Sequence, residues 1–338
     1  MSTRFTLALA LALTVLFGAA SGGFASDGFT RFEIAWRLVD ERYWDLSRSA
    51  VDWDEAYERY APRAREASDD EALFDLLEAM YEEIGDDHTA FVRPSRVAEF
   101  RERYGDLPCL GVFSLAGELD SAGAPAGTRE GPAGPWPAPV EPPEPLRRAG
   151  PIGYGLLPDG TGYVRVDDLV VAGTADGVRD AVEALVRGGA DAFVLDLRGN
   201  PGGRLVTMMQ VAGVFTDGFL WRAVTSWSLP IPYPALGATV TQAPLAILVD
   251  GDVHSAAEGL AGALQQRGRA LVVGATTAGN VEAVLPFCLR DGSQAWIATG
   301  VLAPVGGPTW EGRGVEPDLP SEAKLALGTA LEALRTAR

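Results

Sequence analysis

"AFVLDLRGNPGGRLVTMMQVAGVF", residues 192–215, is the stretch on which the fold turns. Its opening "AFVLDLR" is an apolar run of strand length, and Leu205 to Phe215 reads as a helix. Between them three glycines and a proline fall within six positions, Gly199 to Arg204. Such a loop turns sharply and leaves amide N–H groups free at a helix start, where developing negative charge is stabilised. The same order recurs on either side. "TGYVRVDDL" reads as a strand and Thr174 to Arg187 as a helix before it; "PLAILVD", Ser255 to Gln266 and "ALVVG" read as strand, helix and strand after it. Short apolar strands alternating with helices imply parallel βαβ units and an α/β class. In such sheets ligands bind beyond the carboxyl ends of the strands, where the glycine loop and "DGDVHS", residues 250–255, both fall.

Composition narrows the function classes. Arg4, the apolar run Phe5 to Phe17 and small residues ending at Ala25 read as a secretory signal peptide over residues 1–25. The mature chain is therefore expected to be exported, to the periplasm or the extracellular space. No later segment approaches the roughly 18 apolar residues of a membrane span. A net charge of −18 argues against nucleic acid and anionic membranes as partners. There is no GxxxxGK[ST] phosphate loop, and Lys324 is the only lysine. No Cys/His spacing suggests a metal, so neither metal nor cofactor is expected. Cys109 and Cys288 form one disulfide in an oxidising compartment or remain two buried thiols.

Along the chain, residues 26–104 read as a helical subdomain. Phe29, Phe32, Trp36, Val39 and Tyr43 share one helix face, and Leu73, Leu77, Met80 and Ile84 another. Gly85 reads as a C-cap, with Asp86, Asp87 and His88 in the loop beyond it. Residues 105–151 read as a linker or irregular insertion; the part from 122 onward, which includes Trp136, holds nine of the 23 prolines. The α/β core is expected over 152–320 and a helix or tail over 321–338.

Ser255 stands where strand passes to helix. With Glu258 it makes the Ser-x-x-Glu of a capping box, yet its place is also that of a nucleophile elbow, without the GxSxG sequence. The residues alone leave both readings open. Two histidines are available as a base. His254 adjoins Ser255, and neighbours on such a loop usually diverge; His88 is either the base or a loop residue capping the preceding helix. Trp221, Trp227 and "LPIPYP" (Leu229 to Pro234) are read as core or loop packing rather than a substrate wall, and Arg198 as a salt-bridge anchor of its loop.

Taken in order, "FVLDLRGNPGG", "DGDVHSAAEGLAGALQQRGRALVVGATTAG", "DGSQAWIATG" and "EGRGVEPD" resemble the core motifs of the tail-specific, or C-terminal-processing, serine peptidases. "GDDHTAF" resembles the end of that family's helical region. The likeness runs closest to the members without a PDZ domain, the tricorn core and the interphotoreceptor retinoid-binding protein repeats. It implies a crotonase-like βαβ spiral core and, for active members, proteolysis through an acyl-enzyme on Ser255.

C-terminal-processing members use a Ser-Lys dyad, and here Asn280 stands at the lysine position, where an amide cannot accept the serine proton. The tricorn-like branch uses a histidine from the helical subdomain and a glutamate late in the core. The resemblance thus implies His88 as general base, Glu311 as its orienter, and the amides of Gly202 or Gly203 and of Ala256 as the oxyanion hole. Asp87 is a second candidate orienter of His88. The expected partner is a peptide or protein substrate. A non-catalytic binding module for a hydrophobic ligand or peptide is the competing reading, and a hydrolase of other esters or amides a third.

Overall fold

The computed structural model describes residues 28–86, 88–104, 146–225 and 228–337. The signal-peptide stretch, Asp87, Cys109, Trp136 and Trp227 lie outside the described residues.

Three helices open the described residues: α1 (Gly28–Arg42), α2 (Trp53–Glu66) and α3 (Asp70–Glu82). Asp52 and Asp69 cap the second and third by accepting from backbone N–H groups of their first turns. Their apolar faces meet through Phe32, Val39, Trp53, Leu73, Leu77 and Met80. Strand β1 (Ala90–Val92) and helix α4 (Pro94–Tyr104) follow. This layer also packs on a second sheet, for Ala295, Ile297 and Ala298 belong to the same cluster.

The core sheet has seven strands: β2 (Arg147–Ala149), β3 (Ile152–Leu156), β4 (Thr161–Val166), β5 (Ala192–Asp196), β8 (Leu245–Val249), β9 (Leu271–Gly274) and β12 (Leu319–Pro320). Across the sheet they run β12-β9-β8-β5-β4-β3-β2. From β4 to β12 the pairings are parallel, while β2 and β3 add an antiparallel margin. The sheet therefore begins at Arg147, inside the stretch read as a linker. Helices α5 (Thr174–Arg187), α6 (Leu205–Phe215) and α7 (Ala256–Gln266) cover one face, and α8 (Ala326–Ala337) the other. The two-residue period of a strand sorts side chains between these layers: Phe193 and Leu195 of β5 face α5–α7, whereas Ala192 and Val194 face α8. The α/β class and the bounds of α5 and α6 agree with the sequence reading.

The second sheet consists of β1, β6 (Phe219–Val224), β7 (Ile231–Pro234), β10 (Glu282–Cys288) and β11 (Gln294–Pro304). Its long central strand β11 pairs antiparallel with β1, β6 and β10. Trp221 of β6 is fully buried and donates from Nε1 to the Gly259 carbonyl at 2.7 Å, so it is a core residue joining this sheet to α7. Cys288, ending β10, is disulfide-bonded, and the sequence has one other cysteine, Cys109.

One glycine fixes how the 235–240 segment docks. A Cβ at Gly213 of α6 would sit 1.8 Å from the Leu236 carbonyl oxygen, while Leu236 N–H donates to Met209 O at 2.8 Å. Gly to Ala inside a helix normally stabilises by up to about 1 kcal/mol. Here the sign reverses: Gly213→Ala is expected to destabilise by about 1–3 kcal/mol through overpacking, read as a fall in the urea midpoint.

Candidate active site

Ser255 is where β8 passes, through the loop 250–254, into α7. It is the helix N-cap and, among the described residues, the one non-glycine with positive φ (56°, with ψ −120°). Such a conformation costs on the order of 1–3 kcal/mol and persists only where surrounding contacts impose it. Ser255 and Glu258 occupy capping-box positions, and Ser255 N–H donates to Glu258 Oε1 at 3.0 Å. Ser255 Oγ takes its place in the box opposite the Glu258 backbone N–H, but it is buried and makes no well-formed hydrogen bond there. The well-formed bond at this helix end is thus the one to Glu258.

The glycine loop at the end of the neighbouring strand β5 presses directly against it. A Cβ on Gly202 (φ 97°) would lie 2.9 Å from Ser255 Cβ and 3.0 Å from Ala256 N, so only glycine fits this close approach. Asn200, fully buried, ties the two loops together. Its carbonyl accepts from His254 N–H at 3.0 Å, its Oδ1 accepts from Gly202 N–H at 2.8 Å, and its Nδ2 donates to Val166 O at 2.8 Å. Gly202 N–H is therefore already engaged. Of the three amides expected around an oxyanion, Gly203 and Ala256 remain candidates, and Ala256, as first residue of α7, carries an N–H the helix itself cannot pair.

His88 follows the C-terminus of α3, where Gly85 (φ 81°) turns the chain. Asp86 Oδ1 accepts from His88 N–H at 2.8 Å, and Thr89 Oγ1 donates to Asp86 Oδ2 at 2.9 Å while accepting from Ala298 N–H at 3.1 Å. The histidine loop is so stitched to β11. The imidazole is buried, and its Nδ1 lies 3.1 Å from Glu282 Oε2, the carboxylate of the first residue of β10. Glu282 Oε1 accepts from Trp44 Nε1 at 2.7 Å. Burial alone would lower the His88 pKa; the hydrogen bond to Glu282 and its charge, with Asp86 and Glu311 behind it, overcome burial and raise it.

Glu311 stands otherwise than expected. Its Oε2 accepts from Val281 N–H at 2.8 Å, and the carboxylate bonded to His88 Nδ1 is Glu282. Burial and then repulsion from Glu282 push Glu311 up to about 7, against the opposing Val281 N–H bond. Tyr43, Arg48, Asp86, Asn280, Glu282 and Glu311 line a polar cavity of about 330 Å³ beside the histidine.

The structure thus brings together Ser255, Ala256, Gly202 and Gly203 on the parallel sheet, and separately His88 with Glu282 and Glu311. It makes no hydrogen bond between Ser255 Oγ and His88. His254 has a buried Nδ1 without a partner, and its backbone serves the Asn200 link. Arg198 is the anchor expected of it, donating from Nε to buried Asp196 Oδ1 at 2.8 Å. Leu229 is 87% exposed, so the start of "LPIPYP" lines no wall. Glu282 escaped the sequence reading. Its one signal was a lone carboxylate in the apolar "VEAVLPF", directly after Asn280.

Comparison with known proteins gives this arrangement a family. Residues 160–321 match Peptidase family S41, and residues 30–82 match the Tricorn protease C1 domain. The carboxyl-terminal-processing protease of Picosynechococcus sp. is 37% identical over 133 residues, 39% of this chain and 32% of that protein. Carboxyl-terminal-processing peptidase 3, chloroplastic, of Arabidopsis thaliana is 30% identical over 190 residues, 53% of this chain and 35% of that protein. The chain spans 32% and 35% of the length of these two relatives. Among solved structures, a photosystem II D1 C-terminal processing protease has a TM-score of 0.63 at 25% identity, covering 91% of this chain and 96% of that one. A lipoprotein from Streptococcus agalactiae shares the fold, with a TM-score of 0.67 at 13% identity over 94% of this chain and 99% of that one. The chain thus carries a peptidase family S41 domain over residues 160–321 and a Tricorn protease C1 domain over residues 30–82, and the relatives it matches are named carboxyl-terminal-processing proteases.

Proposed function

We propose that the chain is an exported serine peptidase that hydrolyses peptide bonds through an acyl-enzyme on Ser255. The observation that carries this reading is the strained, buried Ser255, capped through Glu258 so that its Oγ keeps no partner. A purely structural cap would bond its hydroxyl to the helix amides.

In the proposed reaction Ser255 Oγ attacks the scissile carbonyl while His88 Nε2 takes its proton. Glu282 holds the Nδ1–H tautomer and stabilises the imidazolium that forms. The amides of Gly203 and Ala256 face the oxyanion. His88 then gives its proton to the leaving amine, the C–N bond breaks, and water activated by the same imidazole releases the acid. Asn280, at the family's lysine position, donates its N–H to Glu258 Oε1 and has no part in the proton transfer. Ser255 Oγ makes no hydrogen bond, and in the proposed reaction its hydroxyl turns toward Nε2 before the proton passes. Export rests on the signal-peptide reading of residues 1–25, and amino-terminal sequencing of the mature protein tests it.

The competing reading, a non-catalytic binding module, draws on the same buried Ser255, whose Oγ makes no hydrogen bond to His88. A biotinylated aryl phosphonate separates the two. The wild type is expected to be labelled at Ser255 and Ser255→Ala not at all; an unlabelled wild type, or equal labelling of both, overturns the peptidase reading.

A further inference from the structure

The geometry points to Glu258 as a positioning residue that holds the Ser255 backbone in its strained conformation and fixes it against the loop leading to Glu282. The inference rests on the reading of Ser255 as nucleophile.

Glu258 is fully buried, on the first turn of α7, and no lysine, arginine or histidine pairs with it among the described hydrogen bonds and ion pairs. Its charge is met by four donors instead. Oε1 accepts from Ser255 N–H at 3.0 Å and Asn280 N–H at 2.8 Å. Oε2 accepts from Gly279 N–H at 2.6 Å and Thr277 Oγ1 at 2.5 Å. A buried carboxylate needs such a set to satisfy its oxygens, and once satisfied the set is rigid. A capping box needs only the first of these bonds; the other three reach across to a different loop.

That second loop carries the rest of the site. Val281, next in sequence, donates to Glu311, and Glu282 follows it at the start of β10 with His88 on its carboxylate. Thr277 Oγ1 also accepts from Val315 N–H at 2.7 Å, and Gly312 N–H donates to Gly279 O at 2.7 Å, which docks the segment bearing Glu311. One carboxylate therefore sets the position of the nucleophile relative to the element that orients the base. Each oxygen of Glu258 serves two donors, so Glu258→Gln keeps the volume but leaves at least one backbone N–H facing an amide NH₂.

The test compares full-length wild type and Glu258→Gln by amide hydrogen exchange and by aryl phosphonate labelling. Exchange at Ser255, Gly279 and Asn280 is expected to quicken about 10-fold or more in the variant. The maximal labelling rate is expected to fall about 100-fold, with the half-saturating probe concentration unchanged, as for a nucleophile misplaced by about 1 Å. Unchanged exchange at the three amides overturns the proposal, as does quickened exchange with an unchanged labelling rate. Should Glu258→Gln fail to fold, Thr277→Ala removes one donor and keeps the charge. Its maximal labelling rate is expected to fall about 10-fold, the scale of one lost hydrogen bond, and an unchanged rate overturns the proposal. Failure of the peptidase reading shows separately, as an unlabelled wild type, and exchange at the three amides then still decides whether Glu258 holds the loop.

Discussion

Replacing His88 by alanine is expected to lower kcat for a cleaved peptide by about 10⁴- to 10⁶-fold, the range seen when the base of a serine hydrolase is removed. No other described group is placed to take over. Glu258 is occupied by four donors, and Asn280 carries a side-chain amide that cannot accept the proton while its backbone N–H serves Glu258. His254 is the only competing imidazole, and its position on the turn beside Ser255 serves the backbone link to Asn200. His254→Ala is accordingly expected to keep kcat within about 10-fold. A chromogenic peptide measured with both variants decides between the histidines: a collapse in His254→Ala with His88→Ala active would reverse the assignment.

Glu282→Gln is expected to lower kcat by about 10³- to 10⁴-fold while the protein stays folded. Gln Nε2 can donate to His88 Nδ1, which moves the imidazole proton to Nε2 and turns the atom meant to accept from Ser255 into a donor. The pH profile gives a second readout, with a fixed sign. A base works when deprotonated, and in the wild type Glu282 helps hold the His88 pKa above its ordinary 6.5. The acid limb of kcat/KM is therefore expected above pH 6.5, with activity rising as pH rises through it. Without the carboxylate, burial dominates and the limb moves to lower pH. Glu311, titrating at about 7, falls in the same window. Running the profile also in Glu311→Gln separates the two: a limb that moves in Glu311→Gln and not in Glu282→Gln would assign the imidazole's support to Glu311.

How much of this was legible in the sequence depended on the kind of contact. Helices α5 and α6 match their expected bounds because each is a local pattern ending in a glycine or a polar turn. The long strand β11 left no such trace. All eleven of its residues are buried, so "QAWIATGVLAP" has neither the alternation of a half-exposed strand nor the face of a helix. Ser255 and the glycine loop were legible because both follow apolar strands that became neighbours in the parallel sheet. Glu282 was not, since its meaning lies in a contact with His88 across 194 residues, formed by the packing of the helical layer on the second sheet. Glu311 was expected as the orienter of His88 from family likeness; here the carboxylate at the start of β10 holds Nδ1, and Glu311 accepts from Val281 N–H.

The backbone at residue 255 also limits what the site can become. At φ 56° the space around Cβ is already crowded by Gly202 and the turn into α7. A side chain branched at Cβ meets that crowding with two heavy atoms where serine offers one. Threonine is thereby closed off as a replacement nucleophile, although its hydroxyl is chemically equivalent. Cysteine, unbranched, remains compatible. The set of nucleophiles open to mutation or to redesign at this position is thus chosen by the shape of the main chain more than by the reactivity of the group it carries.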